Sequence, residues 1–436
     1  MESIQVVGLS GAFGLGMCFA VLGSIAVKMM PRMGIDQAKF GTMISAFMFA
    51  CLIAQLVVGV MMDSLGYQLV AIVGFVAAAV AILLLANAKN FGAGVLACVL
   101  LGVGAMACNT TGNVLGTQVV QKLFSGEGAA ASANNLVNVF FGLGLFLTPF
   151  VVSFLFQKLS YEKAVSALGI IILLPLIAVF MAVYPPTPAG FKLMDAVMLL
   201  KEPVTILAAF VLFCYIALES SFCNWLAPFG KEVLKQEKPD LPGDKADASA
   251  ARLLSAFAIA MMAGRLITSF SGITQFGGWL IAGAAVVAAV IIMIMTGVKS
   301  SAAAYALALA SGLVFAPAFP TTVGVTFTKF GGGSGSLFGI IFAIGLAGAV
   351  IVPKAIGNMA KGASVQKALK LLLPACVILV LLAVGLHYVK GPADKAGESK
   401  AKTVIEQVTD KAKETVDQAK PAVEQAADKA KATVQQ

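Results

Sequence analysis

What most limits the fold of this chain is its division into apolar blocks, each about as long as a lipid bilayer is thick. Bounded by charges or Pro/Gly breaks, they run approximately over 4–29, 39–63, 67–87, 91–120, 129–157, 163–184, 203–231, 250–272, 277–298, 301–328, 334–360 and 366–389. A helix crossing the hydrocarbon needs about 20 mostly apolar residues, and in lipid it must satisfy its own backbone N–H and C=O groups. Blocks of this length predict an all-α polytopic membrane protein with twelve spans. Only 12% of residues are charged, against roughly 25% in soluble domains, and the charges fall between the blocks. The first block lacks a basic start and is punctuated by glycine, so it reads as a span and not a cleaved leader.

Six blocks precede the segment from Pro185 to Pro203 and six follow it. The halves share short patterns at corresponding places. Asn109-Thr-Thr-Gly-Asn113-Val in the fourth block matches Pro320-Thr-Thr-Val-Gly324-Val in the tenth. Gly142-Leu-Gly with Pro149 in the fifth matches Gly345-Leu-Ala-Gly with Pro353 in the eleventh. Duplicated bundles place a substrate site at mid-membrane between them. The expected domains are 1–184 and 203–389, joined by a 185–202 linker, with a 390–436 tail. The tail repeats Asp410-Lys-Ala-Lys, Asp417-Gln-Ala-Lys and Asp428-Lys-Ala-Lys. Its thin Ala/Val stripe and Pro421 predict a solvated segment, partly helical or disordered.

Chemistry must come from few residues. The seven cysteines lie inside apolar blocks without metal-type spacing, and His387, the single histidine, ends the last block. No triad or phosphate-binding glycine loop is present, so no enzyme activity, metal or cofactor is expected. Glu219, within Phe213-Cys-Tyr-Ile-Ala-Leu-Glu219-Ser-Ser-Phe-Cys-Asn224-Trp225, is the one acid well inside a span. Charging a carboxylate at the bilayer centre costs roughly 2.5–3.5 kcal/mol or more, which points to a bundle interior and to a role in coupling through a proton or sodium. Arg265 is the comparably buried base, but counting along equal spans puts the two at different depths.

Neutral donors and acceptors with an aromatic face would suit a solute rich in hydroxyls. Asn109, Asn113 and Thr117 share a helix face by i, i+4 spacing, as do Asn134 and Asn138. Asn224 and Trp225 follow Glu219, and Gln55, Thr321 and Thr322 add candidates. Amides and threonines also serve as glue between membrane helices, and glycines such as Gly8, Gly11, Gly14 and Gly16 allow close packing.

After the second block stands Gly59-Val-Met-Met-Asp63-Ser-Leu-Gly66-Tyr-Gln68. It resembles the G-x-x-x-D-x-x-G-x-R/K loop of the major facilitator superfamily, with Gln68 in the basic position. The glycines permit a tight turn. Asp63 could cap the next span or meet a positive group across the half, latching one conformation. The second half keeps Ala263-Gly264-Arg265-Leu266, while its loop lacks the acid. The resemblance implies two pseudo-symmetric six-helix bundles, with Gly59, Asp63, Gly66, Gly264 and Arg265 as latch residues. Glu219 to Leu226, Asn135 to Gly144 and Cys108 to Asn113 are further similar to the fucose/glucose/galactose permease group. Its sugar:proton symporters carry a glutamate where Asn109 stands, and an acid in the first helix that this chain lacks.

That resemblance puts both termini in the cytoplasm. Lysine and arginine argue otherwise: five lie on that side, sixteen on the opposite side and nine in the tail, whereas the positive-inside rule favours basic cytoplasmic loops. The net charge of +9 is spread among loops, so the expected partner is membrane lipid and not nucleic acid. The sequence thus predicts a monomeric alternating-access transporter of a small polar solute, of hexose type, with binding residues Asn109, Asn113, Asn138, Glu219, Asn224, Trp225, Gln55 and Thr321. The alternatives are an exporter of amphipathic or organic-ion compounds and a transport-inactive sensor or scaffold.

Overall fold

In the computed structural model, which describes residues 2–186, 193–360, 364–400 and isolated positions beyond Lys400, each apolar block forms a helix. The spans are α1 (Ser3–Met33), α2 (Gln37–Leu65), α3 (Tyr67–Asn87), α4 (Phe91–Leu123), α5 (Ala129–Lys158) and α6 (Tyr161–Met181), then α7 (Pro203–Glu237), α8 (Gly243–Phe270), α9 (Gly278–Met295), α10 (Ser301–Phe330), α11 (Gly335–Ala360) and α12 (Leu372–Tyr388).

The breaks between spans have local causes. Gly34 takes φ 62° to end α1, and the Asp36 carboxylate accepts from the Lys39 N–H to start α2. Gly66, at φ 97°, turns α2 directly into α3, a backbone state that costs glycine little. Asn90 and Ser160 cap α4 and α6 in the same way as Asp36. α7 runs to Glu237, beyond the apolar block, because its polar last turns stay helical. Three spans are irregular where the sequence predicted uniform helix. α6 is interrupted over Ile172–Pro175 and α10 at Ala316-Pro317; proline has no N–H to offer the preceding turn. α4 contains a π-turn at Thr111–Gly116.

Packing repeats with a shift of six helices. α1 lies on α5 as α7 lies on α11, α2 on α4 as α8 on α10, and α3 on α6 as α9 on α12. The halves meet through α2 with α11 and α5 with α8, a pairing that maps onto itself under the same shift. This is the two-bundle architecture expected from the internal similarity.

α1 and α5 touch backbone to backbone. A Cβ on Gly16 would sit 2.2 Å from the Phe141 carbonyl oxygen, and one on Gly144 would sit 2.1 Å from that of Phe13. Neither atom belongs to a movable side chain, so Gly144→Ala must push the helices apart. Overpacking of this kind costs about 1–3 kcal/mol. We expect Gly144→Ala to lower the thermal unfolding midpoint in detergent by several degrees; Gly283→Ala, with open space around it, is the control and should leave it in place.

Lys329–Gly331 and the residues from Lys390 onward form a second compact unit. Within it the Gly391 N–H donates to Asp394 (2.9 Å), whose carboxylate lies 3.8 Å from the Lys329 ammonium, and residues 392–400 are helical. The acidic–basic repeats of the tail, and residues 187–192 of the central linker, fall outside the described residues.

Candidate functional site

The amides singled out in the first half form one continuous hydrogen-bonded chain. Asn109 Nδ2 donates to Gln55 Oε1 (3.0 Å), and Gln55 Nε2 donates to Thr110 Oγ1 (3.2 Å). Asn113 Nδ2 donates to Asn109 Oδ1 (2.8 Å), and Asn113 Oδ1 accepts from Asn138 (3.0 Å) and Asn134 (3.1 Å). Asn134 also donates to Thr117 Oγ1 (2.6 Å). The chain ties α2 to α4 and α4 to α5, and Asn113 stands inside the π-turn. All its members are buried, as such groups must be paired when water is excluded. In this conformation the amide N–H groups of Asn109, Asn113 and Asn138 are therefore directed at other members of the chain. Thr321 lies apart: its hydroxyl accepts, at 3.5 Å, from Asn135 across the two halves.

Glu219 and Arg265 do meet, contrary to the expectation from equal spans: Arg265 Nη2 is 3.2 Å from Glu219 Oε1. Depth has to be counted from the connection between α7 and α8. Glu219 lies 18 residues before Glu237 and Arg265 lies 22 residues after Gly243. Four residues of helix are about 6 Å, which an extended arginine spans. The Arg265 side chain is 4% exposed and that of Glu219 is 23% exposed. Arg265 Nη1 also reaches the Asn138 carbonyl oxygen at 3.5 Å, and its guanidinium lies 5.9 Å from the Phe141 ring. One side chain of the second half thus touches both the acid of its own half and the end of the amide chain in the other.

Asn224 and Trp225 diverge although adjacent. Asn224 is exposed one turn beyond Ser220, to whose carbonyl it donates (2.7 Å). Trp225 turns to α11, giving its indole N–H to the Pro353 carbonyl (3.0 Å) beside Gly357. Its donor is taken by the protein.

Asp63 neither caps α3 nor meets a cation. Its carboxylate accepts from the backbone N–H groups of Gly335 (2.7 Å) and Ser336 (2.8 Å), so it caps α11 across the halves, where helix N-termini favour negative charge. Gly59 lets α2 come close: a Cβ there would lie 2.4 Å from the Gly335 carbonyl oxygen. The symmetry-related contact is neutral, with Ser132 and Thr274 hydroxyls 2.8 Å apart and Gly128 against Thr274 and Gln275. Gly264 packs on Leu313 and Ala316 within its own half, and Arg265 belongs to the mid-level pair and not to this closed end. The Gln68 amide donates to the Val179 carbonyl (3.4 Å).

A family model described as Major Facilitator Superfamily matches residues 8–353. The chain belongs to this superfamily. It is accordingly a membrane transporter and not an enzyme. Solved structures of the superfamily share its fold at low identity. FucP in its outward conformation superposes with a TM-score of 0.72 at 16% identity, over 88% of this chain and 99% of that one. The proton:xylose symporter XylE gives 0.66 at 12% identity, over 88% and 94%. The human organic anion transporter MFSD10 gives 0.63 at 14% identity, over 87% and 99%. No curated protein matches by sequence.

Within this superfamily member, the hydrogen bonds and glycine contacts that join the halves among the described residues lie towards one end. They involve α2 from Gln55 to Asp63, α5 up to Gly142, α8 from Met262 onward and the first half of α11. This is the end that carries the chain's N-terminus. Towards the far end, Gly23 of α1 and Gly41 of α2 have nothing within 4 Å of a would-be Cβ. Sequence reading missed Tyr215, one helical turn before Glu219, which is fully buried beside both Glu219 and Arg265. The i, i+4 spacing to Glu219 was the available signal.

Proposed function

We propose that this transporter moves a small polar solute of hexose type by alternating access, with Glu219 coupling the cycle to a proton or sodium ion. The observation that carries the reading is the Glu219–Arg265–Asn138 bridge. Arg265 holds a partly exposed carboxylate on one side and the backbone of the opposite half on the other. Neutralising Glu219 frees the guanidinium and loosens the tie between halves, so occupancy by a cation and conformation are linked; a ligand shifts such an equilibrium only by its differential affinity for the two states. In that cycle residues 1–184 and 203–389 rock as two bodies, and the exposed Asn224, one turn beyond Ser220 on α7, meets the solute's hydroxyls. The amide chain from Gln55 to Asn138 supports the first half and offers its Asn138 end to the solute. Two of the similar structures are named as fucose:proton and proton:xylose symporters, which favours sugar over amphipathic cargo.

The test is counterflow of labelled hexose in proteoliposomes, which needs no ion gradient, with Glu219→Gln beside the native protein and both checked for folding. We expect the native protein to exchange at least one hexose-type solute, and Glu219→Gln to retain exchange while losing gradient-driven accumulation. Loss of both in the variant would make Glu219 a solute ligand. No exchange by folded native protein would remove the hexose assignment.

A further inference from the structure

We infer that the preferred solute is a hexose-derived acid, its carboxylate bound by Arg265 and its approach steered by a basic far end; this rests on the mid-level transport site proposed above. The first observation is where the charge lies. Among the described side chains, the connections and helix ends at the far end, between Lys28 and Lys370, hold fourteen basic and five acidic groups, a balance of +9. The described side chains of the closed end comprise three basic and five acidic groups, and Glu219 and Arg265 cancel. The positive excess of the described bundle thus sits at the end opposite the contacts that join the halves. A mouth of one sign raises the local concentration of oppositely charged solutes and their association rate.

The second observation is that the guanidinium is under-used. Arginine has five N–H donors in a planar fork suited to a carboxylate. Arg265 spends one well-formed bond on Glu219 and a long one on Asn138; its buried Nε–H has no partner among the described residues, and the buried Tyr215 hydroxyl lies beside the pair. Buried donors left without acceptors are costly. A solute carboxylate supplies a charged acceptor for Nε, whereas a neutral sugar hydroxyl brings a competing proton and no charge.

The charge balance then fixes the stoichiometry. Among the described residues, the ionisable groups facing Glu219 are Arg265 from α8 and Tyr215 and Cys223 from α7 itself. No carboxylate occurs along α5, α10, α11 or α12. Two carboxylates beside one guanidinium would leave a net negative charge at mid-membrane, so the solute enters as Glu219 takes up a proton. One proton accompanies one anion, with no net charge moved.

Proteoliposomes of neutral lipid decide the matter. Labelled D-galacturonate, D-glucuronate and D-gluconate are compared in counterflow with D-galactose, D-glucose and L-fucose. We expect the acids to exchange with apparent affinity at least about tenfold above their neutral parents, a difference worth one decade in Kd. Uptake should acidify the lumen, as read by a trapped pH dye, without a change in a potential-sensitive dye. Lys39→Glu and Lys354→Glu, both exposed at the far end, should raise KM for the acids several-fold at low salt and little at high salt, since screening shortens the field. Arg265→Lys keeps the charge without the fork and, in protein with an unchanged melting curve, should raise KM for acids and not for neutral sugars. Neutral hexoses exchanging as well as the acids would overturn this inference and leave the transport proposal standing. Exchange of neither class by folded protein would overturn both.

Discussion

Arg265→Met is expected to destabilise the protein more than Gly144→Ala or Glu219→Gln. It removes the hydrogen-bonded partner of a carboxylate that is 23% exposed at mid-membrane. Breaking a buried ion pair from one side costs about 3–5 kcal/mol, because the remaining charge stays desolvated. The exposed fraction of Glu219 places the loss at the lower end of that range. The double variant Glu219→Gln/Arg265→Met, which leaves no charge behind, should recover most of the stability, since replacing both members of a buried pair is often neutral. Six of the seven cysteines are buried, so a thiol-reactive fluorophore reports unfolding directly. A melting curve of Arg265→Met that overlays the native one would show that the pair does not hold the middle of the bundle. A double variant no better than the single would mean that Arg265 acts through packing against Phe141 and not through charge.

Asp63→Ala should open the closed end. The carboxylate receives two short hydrogen bonds at the start of α11, and a lost N-cap costs roughly 0.5–2 kcal/mol. In most proteins that loss is paid in stability. Here the cap and its helix belong to opposite halves, so the loss falls on the balance between conformations. By 1.4 kcal/mol per decade, the open-to-closed ratio should rise about two- to thirtyfold. Spin labels at Lys122→Cys and Gln275→Cys, both exposed at that end, would report it, with the exposed Cys223 replaced by serine. The distance distribution should gain a longer component in Asp63→Ala and a smaller one in Asp63→Asn. An unchanged distribution would reduce Asp63 to a local cap.

Much of the fold was legible because the bilayer imposes one length on every span and one solution on every backbone. The duplication was legible too: Gly142-Leu-Gly and Gly345-Leu-Ala-Gly mark the helices that touch α1 and α7. Less legible was anything that depends on register between helices. Equal span counting separated Glu219 from Arg265 because helix ends do not lie in one plane, and the polar turns that extend α7 to Glu237 are invisible to an apolar pattern. Asp63 offered two partners by sequence and took a third, since backbone N–H groups leave no signature in a residue string. The π-turn of α4 gave no signal either: Thr111-Gly-Asn113-Val-Leu-Gly116 reads as ordinary helix, and the bulge lies where Gly8 and Gly11 of α1 pack against Gly116 and Gly112.

The amide chain has a mechanical consequence. Its links from Gln55 to Asn138 contain no group that titrates near neutrality, so the first half keeps its stiffness at any pH at which the protein stays folded. A stiff body acts as a lever. From Asn138, where Arg265 touches it, α5 continues for 20 residues to Lys158, about 30 Å of helix. A tilt of roughly 10° about that fulcrum would carry the outer tip of α5 by about 5 Å over this length. A change of an ångström or two at Arg265 is thereby amplified at the mouth, with no bending required inside the half that moves.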